Sequence, residues 1–310
     1  MIDSFLSIRT HLSTVLRFPP CFPSLTISFR RERCLCPSSV NLAYAALMRI
    51  EIPPHGSGQT ASDPWRDGLP PHVPARGPLP RVCLLPGDPA RVPMAQSVLD
   101  DFEEVGYRRE FRLATGSYDG TPIAVCSTGI GGPSTEIAIV ELSRLGVDTF
   151  IRVGGMGALP ASIPPGTLTT VATALREGGA ARFYAPGDEP LSAHPEVVSA
   201  LAEAAREVGR VLAPIAVLSC DSYYLGEGRP LAGFESAAAE RIAQVEQIGA
   251  DAMDMECETV FAVARALGRR YGAVLATHGN RATDEWLHDY EPVQLAMLEV
   301  ACRAASVLGR

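Results

Sequence analysis

The sequence predicts an α/β domain built in three layers, a sheet with helices on both of its faces. Two observations carry this prediction. From residue 81 onward strand-like and helix-like segments alternate, the order that produces layered α/β folds. Several of the strand-like segments are unbroken apolar runs, as in strands covered on both faces. At 310 residues and 46% hydrophobic, the chain can bury a large core.

In chain order, the first strand is 82–85 (VCLL), apolar and closed by Pro86-Gly87. A second, 123–126 (IAVC), leads through Ser127-Thr-Gly-Ile-Gly-Gly-Pro-Ser134 into a helix over 133–145. Ile137, Ile139, Val140 and Leu142 fall roughly on one face of that helix. Strands over 149–153 (TFIRV) and 168–172 (LTTVA) follow, then a helix over 195–209 and a strand over 215–219 (IAVLS). A helix over 235–248, one over 256–268, a strand over 273–277 (AVLAT) and a helix over 291–308 complete the set, without internal repeats.

The start of the chain differs in composition. Residues 1–60 read as an extension outside the domain, and 61–80 as a Pro/Gly-rich approach to it, mostly loop; the domain proper is 81–310. Within the first fifty residues, Arg9, Arg17, Arg30, Arg31, Arg33 and Arg49 face only Asp3 and Glu32. Such an Arg- and Ser-rich, acid-poor leader mimics an organelle transit peptide, but a start placed too far upstream, with Met48 the better one, is the favoured expectation.

The net charge of −8 argues against a nucleic-acid backbone as main partner. No apolar run reaches the ~18 residues a membrane helix needs. The eight cysteines form no CxxC pair, and Cys83, Cys126 and Cys220 lie in apolar runs, which fits a reducing cytoplasm. There is no lysine, so every fixed positive side chain is an arginine, which suits two-pronged recognition of oxyanions but is explained by a GC-rich coding bias alone, the favoured reading.

Three Gly-rich turns follow three of the strands: Pro86-Gly87-Asp88-Pro89-Ala90-Arg91, the Ser127–Ser134 loop and Gly154-Gly155-Met156-Gly157. Sites in α/β sheets gather at strand carboxyl ends, so these turns could share one crevice, and a glycine loop opening a helix could crowd its N–H groups against an anion. Arg152 sharpens the case. A guanidinium inside an apolar strand costs several kcal/mol unless an anion or a carboxylate pairs with it. Asp254-Met255-Glu256 precedes an apolar helix, where a carboxylate can cap the helix or accept from a vicinal diol such as a ribose offers. Tyr223 and Tyr224, followed by Gly226-Glu227-Gly228-Arg229, read either as a base pocket or as an aromatic cluster with a turn.

Taken in order, GDPARV (87–92), RREF (108–111), STGIGGPS (127–134), FIRVG (150–154), SYYLGEGR (222–229), DMECET (254–259) and GNR (279–281) resemble the uridine phosphorylases of the nucleoside phosphorylase superfamily. The resemblance implies a nucleoside phosphorylase fold, a central mixed sheet in three αβα layers. It implies dimers, three to a hexamer, and an enzyme, a pentosyltransferase of pyrimidine salvage. The reaction implied is phosphorolysis of a nucleoside such as uridine to free base and (deoxy)ribose 1-phosphate, with inorganic phosphate as co-substrate and no required cofactor.

By the same resemblance Gly87, Arg91, Arg152 and Gly155 belong to the phosphate site, and Arg109 reaches it from the partner subunit. Met255 and Glu256 bind ribose, and His72 contacts the sugar 5′ hydroxyl across the dimer. Tyr223, Glu227, Arg229 and Arg281 face the base. Glu110, Ile130 and Ser134 match positions that hold a potassium ion between subunits. Arg152, Glu256 and Arg229 carry the catalysis, and the phosphate is held mainly by the arginines and the Gly87 turn rather than by STGIGGPS.

Two departures stand out. Uridine phosphorylases usually have a threonine at Gly155, whose hydroxyl helps hold phosphate. They have a glutamine at Glu227, and an ionised glutamate only accepts hydrogen bonds, so it suits a base with two donors better than uracil. Asp254 replaces the usual glutamate and keeps its charge. Arg281 stands where purine-cleaving relatives place an aspartate, which lowers a purine reading and leaves a pyrimidine carbonyl or a salt bridge to Glu227 as its partner. The alternatives are a nucleoside hydrolase, a purine nucleoside phosphorylase, and a nucleoside-binding protein without turnover.

Overall fold

A computed structural model of the chain describes residues 59–310. The extension expected over 1–60 and the start at Met48 lie almost wholly outside the described residues.

Strand β1 (Val82–Pro86) runs parallel to both its neighbours, β4 (Thr121–Cys126) and β5 (Thr149–Ala158). Beyond β4 the sheet continues antiparallel through β3 (Phe111–Tyr118) and β2 (Asp100–Arg108). On its other side β5 pairs in parallel with β10 (Arg270–Asn280), which is antiparallel to β6 (Leu168–Arg176). Strands β8 (Ala213–Ser219) and β9 (Ala252–Asp254) follow in parallel, and β9 returns antiparallel to the end of β5. Short β7 (Leu191–Ser192) and β11 (Glu285–Trp286) pair with β6 and β10. The mixed sheet expected for the family is present, and half of it, from β5 through β10, β6, β8 and β9, closes on itself.

Alternate residues of a strand face opposite sides, and β1 buries both. Cys83 and Leu85 join Phe111, Ile139, Leu142, Phe150 and Phe261 beneath α2 (Gly132–Arg144) and α5 (Cys257–Ala266). Val82 and Leu84 join Ile151, Leu201, Met297 and Leu298 beneath α3 (Pro195–Glu207) and α6 (Glu291–Leu308). The three-layer expectation therefore holds. Helix α4 (Glu235–Gln247) lays Val245 on Leu218 and Met253 of the closed half, and α1 (Arg91–Met94) is a single turn after β1.

Residues 61–80 are loop apart from one bridge, Arg66 to Leu69, but Trp65, Val73 and Ala75 are buried in the core under α2. One expectation needs correction. Gly154-Gly155-Met156-Gly157 is not a turn: β5 runs through it to Ala158. Its first half pairs with β1 as far as Pro86 opposite Val153, and its last residues pair with β9, Gly157 opposite Met253. Where β5 exchanges one partner for the other, the sheet parts.

Candidate active site

A cavity of about 720 Å³ opens at that parting. Such a volume lies in the range of small-molecule sites. The end of β1 supplies Gly87 and Asp88, α1 supplies Arg91, and β5 supplies Arg152, Gly155 and Met156. The segment after β9 supplies Met255 and Glu256, β10 supplies His278, and the loop after β8 supplies Tyr223, Glu227 and Arg229. Glu110, Ile130 and Trp286 complete the rim. The carboxyl ends of separate strands thus converge, as the three Gly-containing stretches suggested.

Arg152 is the buried hub. Its Nε donates to Asp254 Oδ2 at 2.9 Å and its Nη2 to Glu256 Oε2 at 2.5 Å. Burial works against its charge, but Glu256 and Asp254 outweigh it and raise its pKa. The guanidinium lies over Gly154, where a Cβ would come within 2.8 Å of Cζ, so the glycine lets the side chain fold back along the strand. Of the two alternatives raised for the acidic stretch, the helix cap is realised, by Asp254. Asp254 accepts from Cys257 N–H at 3.0 Å at the start of α5 and from Ser219 Oγ at 2.6 Å, while Glu256 faces the cavity.

Glu256 accepts the Gly131 N–H at 2.6 Å through Oε1. Burial pushes its carboxyl up, and Arg152 pulls against that shift. Gly131 adopts φ 91°, a left-handed value that favours glycine. The anion that this glycine loop meets through the Gly131 N–H is the protein's own carboxylate. Gly132 allows α2 to approach α5, because a Cβ there would lie 2.8 Å from Thr259 Oγ1.

Arg91 differs from Arg152. It reaches only the Val153 carbonyl, at 3.4 Å, and its Nε is buried without a partner. No carboxylate lies within ion-pair distance of it among the described residues. Burial, and then the charge of Arg152, lower its pKa. A guanidinium in this state favours an incoming anion.

In the remaining part of the cavity Arg229 lies over the Tyr223 ring at 3.7 Å and donates to Glu227 Oε2 at 2.5 Å. Glu227 is buried, and that burial pushes its carboxyl up against the pull of Arg229. Gly228, at φ +67°, turns the loop, and Arg241 of α4 ties it down through the Gly226 carbonyl at 2.7 Å. Arg281 donates to the backbone carbonyl of Glu227 at 2.7 Å rather than to its carboxylate, and does not border the cavity.

Besides Arg281, three of the expected site residues stand apart. Arg109 occupies the exposed β2–β3 turn at φ 54° and does not border the cavity of its own chain. His72 is held by Glu141 of α2, Nδ1 to Oε1 at 2.7 Å, also away from that cavity. Ser134 donates within the loop to Ile130 and Gly131 carbonyls, both at 3.3 Å. Glu110 packs on Gly129 at the cavity rim, next to Ile130, which is 78% exposed. His278 and Asp254 were not singled out as site residues by the sequence. His278 carried a signal only through its place beside GNR, and the Arg152 partnership of Asp254 joins residues about a hundred positions apart, which no local pattern reveals.

The profile of the Phosphorylase superfamily matches residues 81–310. A uridine phosphorylase of Thermococcus kodakarensis is 43% identical over 223 residues, 71% of this chain and 80% of the relative. A guanosine phosphorylase of Halorubrum lacusprofundi is 35% identical over 199 residues, 64% of this chain and 78% of the relative. The uridine phosphorylase of Escherichia coli K12 is 34% identical over 211 residues, 66% and 82% respectively. With the strand ends, the arginines and the carboxylates gathered at one cavity, the chain belongs to the phosphorylase superfamily.

Proposed function

We propose that the protein cleaves a pyrimidine nucleoside, uridine or its 2-deoxy form, with inorganic phosphate, releasing the base and the sugar 1-phosphate. The observation that carries this reading is Arg91, a half-buried guanidinium without a carboxylate partner, facing the same cavity as Arg152 and Glu256. A nucleosidase would have no use for that charge.

In this mechanism Gly87 N–H, Arg91 and Arg152 hold phosphate below the anomeric carbon. Arg152 uses the donors that Asp254 and Glu256 leave free. Glu256, with Met255 packed beside it, fixes the ribose hydroxyls. Tyr223 stacks on the base, while Arg229 and Glu227 bind its edge. Phosphate is already a nucleophile, so catalysis is positioning and electrostatic stabilisation as the glycosidic bond opens toward an oxocarbenium ion. Negative charge growing on the base is met by Arg229.

The own-chain cavity balances Arg91 and Arg152 against Asp254 and Glu256, so a phosphate dianion needs more positive charge than one chain supplies. We assign the missing charge to the partner's Arg109, which makes the homodimer the smallest active unit, assembled further into hexamers in the cytoplasm. His72 reaches the partner's sugar subsite, and Glu110, Ile130 and Ser134 surround a potassium ion at the same contact. A second reading, cleavage of guanosine, is favoured by Glu227, whose carboxylate matches a base edge with two N–H donors.

Purified protein incubated with uridine, deoxyuridine, cytidine, guanosine and inosine, with and without phosphate, tests these readings. Uracil release only with phosphate is the expected result. Release without phosphate overturns phosphorolysis, and a preference for guanosine overturns the choice of base.

A further inference from the structure

Strand β10 contributes His278 to the cavity that Glu256 also lines. The pairing of β10 with β5 shifts register between Thr277 and Gly279, so His278 sits at a bulge, a device that re-aims a side chain. Its ring stands over Gly155: a Cβ built there would lie 2.3 Å from Cε1, 2.5 Å from Nδ1 and 2.8 Å from Nε2. The polar edge of the imidazole therefore fills the space that a side chain at position 155 would take. Tyr290 packs on the ring edge to face, with centroids 4.7 Å apart.

Neither ring nitrogen has a hydrogen-bond partner among the described residues. Burial, then the charges of Arg91 and Arg152, push the imidazole down to a pKa of about 4. At neutral pH it is uncharged and carries one N–H donor and one acceptor. An N–H dipole placed among two guanidiniums has nothing of its own to donate to. An oxyanion arriving between them supplies that acceptor without adding another buried positive charge.

We propose that His278 is a phosphate ligand, donating its ring N–H to the oxyanion held by Arg91 and Arg152, and that position 155 must lack a side chain for the ring to reach it. The proposal rests on the phosphorolytic reading of the cavity. It also accounts for glycine at 155: the donor that the site needs there comes from the neighbouring strand.

Three single variants, His278→Ala, His278→Gln and Gly155→Ala, and the double variant His278→Ala with Gly155→Ala test it. Gly155 has no left-handed backbone angle, so an alanine there strains nothing except the imidazole it pushes aside. Two quantities are read: the KM for phosphate against the KM for nucleoside, and binding of inorganic phosphate to the resting protein by calorimetry. Loss of one hydrogen bond to a charged partner should weaken phosphate about tenfold in His278→Ala and leave the nucleoside KM within about twofold. Gly155→Ala should weaken phosphate similarly, and the double variant should be no worse than either single one, because both remove the same contact. His278→Gln, which retains an N–H donor, should recover part of the loss.

Phosphate affinity within about twofold of the parent in His278→Ala overturns the proposal, as does a loss confined to the nucleoside KM or full additivity in the double variant. Should the parent cleave nucleosides without phosphate, the phosphorolytic reading falls. Calorimetry with phosphate alone then still decides the role of His278. If His278→Ala fails to fold, Gly155→Ala and His278→Gln give the same decision.

Discussion

Glu256 is gripped at both oxygens, by the Gly131 N–H and by Arg152, so its orientation is already set in the resting protein. His278 makes the opposite arrangement, a polar group held in place with its nitrogens unengaged. Its depressed pKa has a stability consequence whose sign can be worked out. Unfolded, the ring takes a proton near pH 6.5; folded, it resists until about pH 4. Stability is therefore undiminished above about pH 6.5 and falls as the pH drops toward 4, because the unfolded chain binds the extra proton. In phosphate-free buffer, urea unfolding of the parent should lose ~2–3 kcal/mol more than His278→Gln between these two pH values, allowing for the ring's open side. Parallel pH dependence in the two proteins would mean that the ring ionises as freely folded as unfolded. Glu227 yields a second prediction. Its carboxylate is paired with Arg229 and only accepts, whereas uracil offers both a donor and acceptors. Glu227→Gln should release Arg229 and raise kcat/KM for uridine roughly tenfold relative to guanosine, read in steady-state assays. A fall in that ratio would show that the carboxylate serves uracil well.

At the level of elements, the site exists because β5 leaves β1 at Val153 and is taken up by β9 at Gly157. The start of α5 is pinned to the same strand, since Asp254 accepts both the Cys257 N–H and the Arg152 Nε. Asp254→Asn preserves the shape but leaves the buried guanidinium with Glu256 alone. Removing one partner of a buried ion pair costs ~3 kcal/mol or more, so the urea midpoint should fall, and an unchanged midpoint would mean that Glu256 suffices. This arrangement also shows what the sequence could disclose. Strands such as 82–85 and 149–153 and the helix at 133–145 were legible, because covered strands and a one-faced helix leave apolar signatures. Strand β2 was not: Asp100–Arg108 (DDFEEVGYR) is an edge strand, largely exposed, with charges where a pattern search expects apolar residues. Strand β9 was too short to register, and the continuation of β5 through Gly154 and Gly155 looked like a turn, since glycine is a poor strand former. Most residues that line the cavity, Arg91, Arg152, Tyr223, Arg229 and Glu256 among them, were legible through motif order, whereas His278 was not. Their contacts were not, because Arg152 with Asp254 and Gly155 with His278 meet only after the sheet has closed.

For the whole molecule the question is where the remaining positive charge comes from. Arg91 and Arg152 are offset by Asp254 and Glu256, and Asp88 and Glu110 also border the cavity, so one chain alone offers a dianion little net attraction. Arg109 stands exposed at the β2–β3 turn, and the exposed Ile130 lies at the cavity rim. In a two-fold dimer each chain's turn can complete the other's cavity, because the same surfaces meet twice. This predicts complementation between two inactive proteins. With Arg109 acting across the proposed dimer, Arg91→Ala would damage the cavity of its own chain and Arg109→Ala that of its partner. A hybrid dimer then has one cavity with both lesions and one with neither. Equimolar co-expression of the two variants should restore about a quarter of the parental activity, in dimers or hexamers alike, because random pairing leaves one site in four intact. If Arg109 served its own chain, every hybrid site would carry one lesion. The mixture would then be no more active than the variants apart, and the charge balance of the cavity would have to be met by a group other than Arg109.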